Sequence, residues 1–193
     1  EHRIIEQALR GLLGLTIQAK STGVIPLTDA NDAIDFIQTF ADKHHHGKEE
    51  NLLFTKMVQQ GFTLKSGPIA VMLHEHDAGR EFVHAMVNAL KEKKVDDFHE
   101  AAGNYINLLF NHIHKEDHVL YPMAKQCFSQ EDMSTLEKDF YSFELHSKQN
   151  GIQEKYLLFA SQINKTYGDL SGIQIKSSAE NINEASSCSS HWR

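Results

Sequence analysis

The sequence predicts an all-α fold, an antiparallel up-down four-helix bundle with additional C-terminal helices. Three observations carry that expectation. Strand-type alternation is weak, whereas five or six stretches repeat apolar residues at helical spacing. Short Gly, Pro or Ser punctuation separates those stretches, and short connections make consecutive helices antiparallel neighbours. At 193 residues, 40% hydrophobic and 23% charged, the chain is long enough to bury a core.

The first helix runs from the start to about Ala19 and gives way to Ser21-Thr22-Gly23 and Pro26. The second is expected to begin after Thr28 as N-cap, with Asp29 and Asp32 complementing the helix dipole, and to end near Gly61. The third starts at Pro68, a favoured first-turn residue, and ends in the basic Lys91-Glu92-Lys93-Lys94. The fourth starts near Asp96 and reaches Pro122, which is expected to kink or end it. These four are expected to form the bundle, over residues 1–127. Helices over 128–167, broken at Asn150-Gly151, are expected to pack on it within the same domain through Leu136, Phe140, Phe143, Tyr156, Leu157, Phe159 and Ala160. Residues 168–193 read as a Ser/Asn-rich tail.

Composition narrows the function. A net charge of −7 argues against nucleic acid, which needs a basic footprint. No apolar run reaches the roughly 18 residues of a membrane span, and no signal peptide is visible. Cys127 and Cys188 lie far apart in sequence, which suits a reducing cytoplasm. The chain opens at Glu1 rather than Met, which leaves room for sequence upstream. The unusual number is histidine: 13, ten of them between His44 and His118.

An internal repeat sorts them. Glu1-His2 in the first helix recurs as Glu75-His76 in the third, followed at equal offsets by Ala8-Leu9 and Leu12-Leu13, then Phe82-Val83 and Met86-Val87. His45-x-x-x-Glu49-Glu50-x-Leu52-Leu53-Phe54 in the second helix recurs as His112-x-x-x-Glu116-Asp117-x-Val119-Leu120-Tyr121 in the fourth. At about 100° per residue, His112 and Glu116 share one face, among Tyr105, Ile106, Leu109, Ile113, Val119 and Leu120. A glutamate on an apolar stripe is costly unless paired or metal-bound. The bland alternative is a satisfied core His-Glu hydrogen bond. His76 sits on the apolar face of its helix, His74 is turned away and His84 lies on the edge; His114 and His118 fall on the solvated side. Periodicity does not choose among His44, His45 and His46, but the repeat selects His45 and Glu49. His46, about 100° round, is an extra candidate, and His44 and Glu50 read as outward or supporting residues.

Four His and two Glu on one axis suggest two metal ions bridged by carboxylates. The donors suit iron, with manganese or zinc fitting too, and disfavour calcium and magnesium. For two octahedral ions sharing an oxide or hydroxide, these donors leave about two of about twelve positions open, or about one if His46 binds. Ferritin-like bundles use Glu-x-x-His instead.

The Glu-His, His-His-Gly-Lys-Glu-Glu-x-Leu-Leu-Phe, His-Glu-His-Asp-x-Gly-Arg and His-x-x-Lys-Glu-Asp-x-Val-Leu-Tyr-Pro segments, in this order over about Glu1 to Ala124, resemble the hemerythrin-like, HHE cation-binding family. The resemblance implies a non-haem di-iron centre, with His2, His45, Glu49, His76, His112 and Glu116 as ligands and His46 as a further candidate. Oxygen-carrying hemerythrins place a second His four residues along the third helix, where this chain has Arg80, and an Asp five residues after the fourth-helix His, where this chain has Glu116 at four. In this it resembles the intracellular branch.

The leading expectation is a cytoplasmic di-iron protein that binds or reacts with dioxygen, nitric oxide or peroxide at an open iron position. The alternative is an iron or oxygen sensor without turnover. A phosphotransfer bundle needs a solvent-facing His and fits poorly. The C-terminal region is expected to cap the bundle, form a homodimer or shield the site.

Overall fold

The computed structural model describes residues 1–149 and 151–171; Asn150, Cys188 and the tail beyond 171 lie outside the described residues. Every regular element among the described residues is helical. Helix α1 (His2–Thr22) stops at Gly23, whose φ of 71° is the left-handed conformation that ends helices. Helix α2 (Leu27–Phe36) begins earlier than the Thr28 cap predicted. Pro26, with φ fixed near −66°, already turns the chain, and its carbonyl accepts the Ala30 N–H at 2.9 Å. No side chain caps this end, and Thr28 lies within the first turn.

From α2 the helix continues through two π-helical segments, Ile37–His46 and Glu49–Leu53, into α3 (Phe54–Gln59). Helix α4 (Gly67–Glu92) carries Pro68 in its first turn and closes at Lys93 in the left-handed region. Helix α5 (Val95–Lys115) runs through a third π segment, Glu116–Leu120, into α6 (Tyr121–Cys127). Pro122 therefore falls in the first turn of a renewed α register, where a missing N–H is tolerated. Helices α7 (Gln130–Gln149) and α8 (Ile152–Tyr167) and a 3₁₀ turn (Gly168–Ser171) complete the described chain.

Helix α1 packs on α5 and α8, and α4 packs on α5. The α1–α8 contact is close because α1 presents Gly11 and Gly14: a Cβ at Gly11 would stand 2.7 Å from the Ile163 backbone, and one at Gly14 would strike the Tyr167 carbonyl. Ile163 and Tyr167 of α8 are buried at this contact, Ala160 is buried too, and Tyr156 is buried against Phe36 and Phe40, whereas Leu157 points outward and is 53% exposed.

The core is two apolar clusters. The larger joins Leu9, Leu12, Phe36, Phe40, Val83, Phe98, Tyr105 and Ile113. The smaller joins Leu53, Phe54, Met57, Ile69, Met72, Leu120 and Leu136. Each fully buried Leu or Phe contributes roughly 1.5–3 kcal/mol. The changeover between clusters falls at the same place in each long helical rod: at residues 44–49, at His76 and at Glu116. A layer of buried polar side chains thus separates two dry cores.

Candidate metal centre

His2 enters this layer from the first turn of α1, His76 from α4 and His112 from the end of α5. The π segments place the rest. A π turn carries an additional residue relative to an α turn and shifts which side chains face inward. Here His44, His45 and His46 are all buried, as are Glu49 and Glu116. His44, expected outward or supporting, packs between Phe40 and Phe143 with its Nε2 3.0 Å from Glu1.

The structure brings all seven sequence-selected residues into two adjoining groups: His46, Glu49, His76 and His112 in one, His2, His45 and Glu116 in the other. In each group two imidazoles point their Nε2 atoms at one another, His76 and His112 at 3.1 Å and His2 and His45 at 3.1 Å. Glu116 spans both groups, with Oε1 3.0 Å from His112 Nε2 and Oε2 3.2 Å from His2 Nε2. Glu49 Oε2 lies 3.7 Å from His76 Nε2 and 3.9 Å from His45 Nε2.

The opposite ring nitrogens explain why the Nε2 atoms converge. Nδ1 of His45 faces Glu1 at 3.0 Å, that of His112 faces Glu75 at 2.9 Å, that of His76 faces Glu50 at 2.7 Å and that of His2 faces Asp117 at 2.8 Å. A neutral imidazole that donates its Nδ1 proton to a carboxylate presents a lone pair at Nε2. Facing lone pairs repel unless a cation lies between them. Two nitrogens bound at about 2.1 Å and at right angles on one ion stand about 3.0 Å apart, close to the spacing found.

Unpaired atoms point the same way. Among the described residues, seven buried side-chain polar atoms lack a hydrogen-bond partner, and five belong here: both ring nitrogens of His46, Oε2 of Glu49 and both oxygens of Glu116. Leaving such atoms unsatisfied is costly. Imidazole and carboxylate are the donors iron, manganese and zinc accept. The residues therefore fit a metal.

The buried groups at the centre are unequal in charge. Burial and the neighbouring Glu116 push the Glu49 carboxyl well above its usual range. Burial would raise Glu116 too, but the His112 and His2 imidazoles outweigh it and hold that carboxyl well below. Against the burial that opposes it, Glu116 and Glu75 lift His112 to about 9. Burial, helped by the neighbouring His76, His45 and His112 and opposed by Asp42, pulls His46 down to about 3, so it stands as a neutral donor.

The sequence reading left Glu1, Glu75 and Asp117 without roles, and Lys48 and Lys115 as well. Lys48 binds Glu1 and, at 2.9 Å, Glu144 of α7; Lys115 binds Glu75. Both lysines stand three residues after a repeat histidine, and both glutamates directly precede one. That recurrence was the available signal. Arg80 donates to Asp42 and Glu50 at 2.8 Å, and so helps fix the carboxylate behind His76. The exposed His74, His84, His114 and His118 take no part in either group.

These two His/carboxylate groups buried among helices define a metal-binding helical protein. The chain belongs to the hemerythrin HHE cation binding domain family, whose model matches residues 1–124. It is 33% identical over 89 residues to an iron-sulfur cluster repair protein YtfE of Dickeya chrysanthemi, covering 42% of this chain and 40% of that protein. It is 35% identical over 91 residues to the protein of the same name from Musicola paradisiaca, with the same coverage. The match thus spans about two fifths of these relatives' length. No solved structure matches. Among the described residues, no helix is long and apolar enough to cross a membrane.

Proposed function

We propose that this chain is a di-iron protein on an antiparallel four-helix bundle that binds or reacts with dioxygen, nitric oxide or peroxide at an open iron position. The observation that carries this reading is the pair of facing Nε2 atoms in each group, with Glu116 between the groups. His46, Glu49, His76 and His112 would hold one ion, and His2, His45 and Glu116 the other. The ions supply a redox couple and a position for a small ligand. The protein holds His2, His45, His76 and His112 each in one tautomer through a carboxylate, neutralises two of those carboxylates with Lys48 and Lys115, and keeps bulk water out with the two apolar clusters. The unequal donor counts, four against three, favour the second position as the open one.

The wide separation of Cys127 and Cys188 in sequence suits a reducing compartment, and we assign the protein to the cytoplasm. The relatives' name favours a second reading, in which the bundle serves iron-sulfur cluster repair through the same iron centre. Anaerobic titration with iron(II), with metal counted per chain, tests the common premise. We expect about two irons per chain in the wild type and a loss of metal in Glu116→Ala. Fewer than one iron in the wild type would sink it.

A further inference from the structure

The two halves of the site repeat, but one of them is tied to a helix outside the repeat. Lys48 and Lys115 hold matching places, and each binds the glutamate of a Glu-His pair, Glu1 or Glu75. Their surroundings differ. The Lys115 side chain is 36% exposed, and Glu75 is its one carboxylate among the described residues. The Lys48 side chain is 7% exposed and binds a second carboxylate, Glu144 of α7, at 2.9 Å. A buried ammonium is costly unless its charge is matched, and here two carboxylates share it.

The rest of α7 is fitted to the same place. The Lys48 ammonium sits over the Phe140 ring, 5.6 Å from its centroid, and the Phe143 ring lies 5.6 Å from that of His44. Phe140, Phe143 and Glu144 share one face of α7, at i, i+3 and i+4. Asp132 ties the start of the helix to Lys56 at 2.6 Å and to Gln60 at 3.1 Å. Helix α7, which lies beyond the residues matched by the family model, thus follows the rod that carries His44 to Glu49 as far as the polar layer. There Lys48 links Glu144 to Glu1, whose two oxygens stand 3.0 Å from His44 Nε2 and 3.0 Å from His45 Nδ1.

We propose that Glu144 is a positioning residue for His45, acting through Lys48 and Glu1, so that metal binding at the His2/His45/Glu116 group and docking of α7 stabilise one another. This rests on the two-metal reading above. Without Glu144 the buried ammonium leans on Glu1 alone and draws that carboxylate's charge away from His45, which weakens the imidazole as a donor. The His76/His112 half has no such tie, so its ion serves as an internal control. Linkage makes the effect reciprocal: whatever factor α7 docking adds to metal affinity, metal adds to α7 docking.

The test has two arms. Wild type, Glu144→Gln and Asp132→Asn, which cuts the tie at the far end of α7, are compared by chelator competition for iron(II). We expect Glu144→Gln to weaken the iron at the three-donor group by about fivefold or more and to leave the other within about twofold, while Asp132→Asn leaves both within about twofold. Unchanged iron affinities in Glu144→Gln overturn the proposal. So does equal weakening in the two variants, since Glu144 would then merely hold α7 on the bundle. The second arm needs no variant: hydrogen exchange of α7 amides in chelated and iron-loaded wild type. Exchange should slow on loading by about fivefold or more, and equal exchange in the two states overturns the proposal even if Glu144→Gln fails to fold. A wild type that holds fewer than one iron overturns the two-metal reading itself, and is read before either arm.

Discussion

Replacing His46 by Leu should move the metal-free and metal-loaded proteins in opposite directions. His46 is 5% exposed and its ring lies flat on His76, with centroids 3.9 Å apart. Neither ring nitrogen has a hydrogen-bond partner, and the nearest carboxylate, Asp42, stands 3.5 Å from Nδ1. Burial holds the ring neutral, with its pKa at about 3, so the substitution removes no charge at neutral pH. A buried unpaired polar atom costs roughly 1–3 kcal/mol, and discounting Nδ1 for its nearness to Asp42 leaves about one such penalty. Leucine fills similar space without it. The metal-free protein should therefore gain about 1–3 kcal/mol, which for a chain of this size raises Tm by about 2–4 °C per kcal/mol. The loaded protein should lose one of the four donors of its group, and its midpoint in a chelator competition should shift toward weaker binding by about tenfold or more. Calorimetry of chelated and iron-loaded samples reads both quantities on one pair of proteins. A variant that melts lower without metal, yet binds iron as the wild type does, would show that His46 is a packed core residue and refute the assignment.

Two further predictions follow from the groups behind the ligands. Glu75→Gln and Glu1→Gln, which occupy matching places in the repeat, should each weaken metal binding by about 10- to 100-fold in a competitive chelator assay. If either leaves affinity unchanged, its carboxylate does not tune the imidazole it faces. The pH dependence of the metal-free fold has a definite sign. His112 is raised to about 9, so its contribution is fully present below the usual 6.5 and lost as pH rises toward 9. Asp42 and Glu50 are lowered to about 2: burial opposes the shift at Asp42, where His46 and Arg80 outweigh it, while His76 and Arg80 depress Glu50. Their contributions are present above the ordinary carboxylate range and lost as pH falls toward 2. Metal replaces the proton on His112, so thermal melts between about pH 6.5 and 9 should decline for chelated protein and stay flatter for loaded protein. Parallel declines would show that His112 is not where metal binds.

What could be read in the sequence follows from which features keep a regular period. The helices and the breaks between them rest on apolar spacing and on Gly and Pro, and α1, α4, α7 and α8 follow that spacing closely. Six of the seven candidate residues were legible because a duplicated motif marks equivalent positions without requiring a helical angle, whereas His46, whose repeat counterpart is Ile113, was kept for its place about 100° from His45. Angle-based arguments lose phase where the backbone leaves the α register. Val119, placed on the inner face at 100° per residue, lies within the π segment and is 49% exposed. His44, read as outward or supporting, is buried within another. Propensity does not signal a π turn, since its residues are those of any helix. The repeat nevertheless contains the missing information: Lys48 and Lys115, Glu1 and Glu75, and Glu50 and Asp117 recur at fixed offsets from ligand candidates. At about 100° per residue, His44, His45 and His46 span about 200°, wider than the usual apolar stripe of an amphipathic helix. The register changes fall where His45, His46, Glu49 and Glu116 enter the centre, and all of these side chains are buried there.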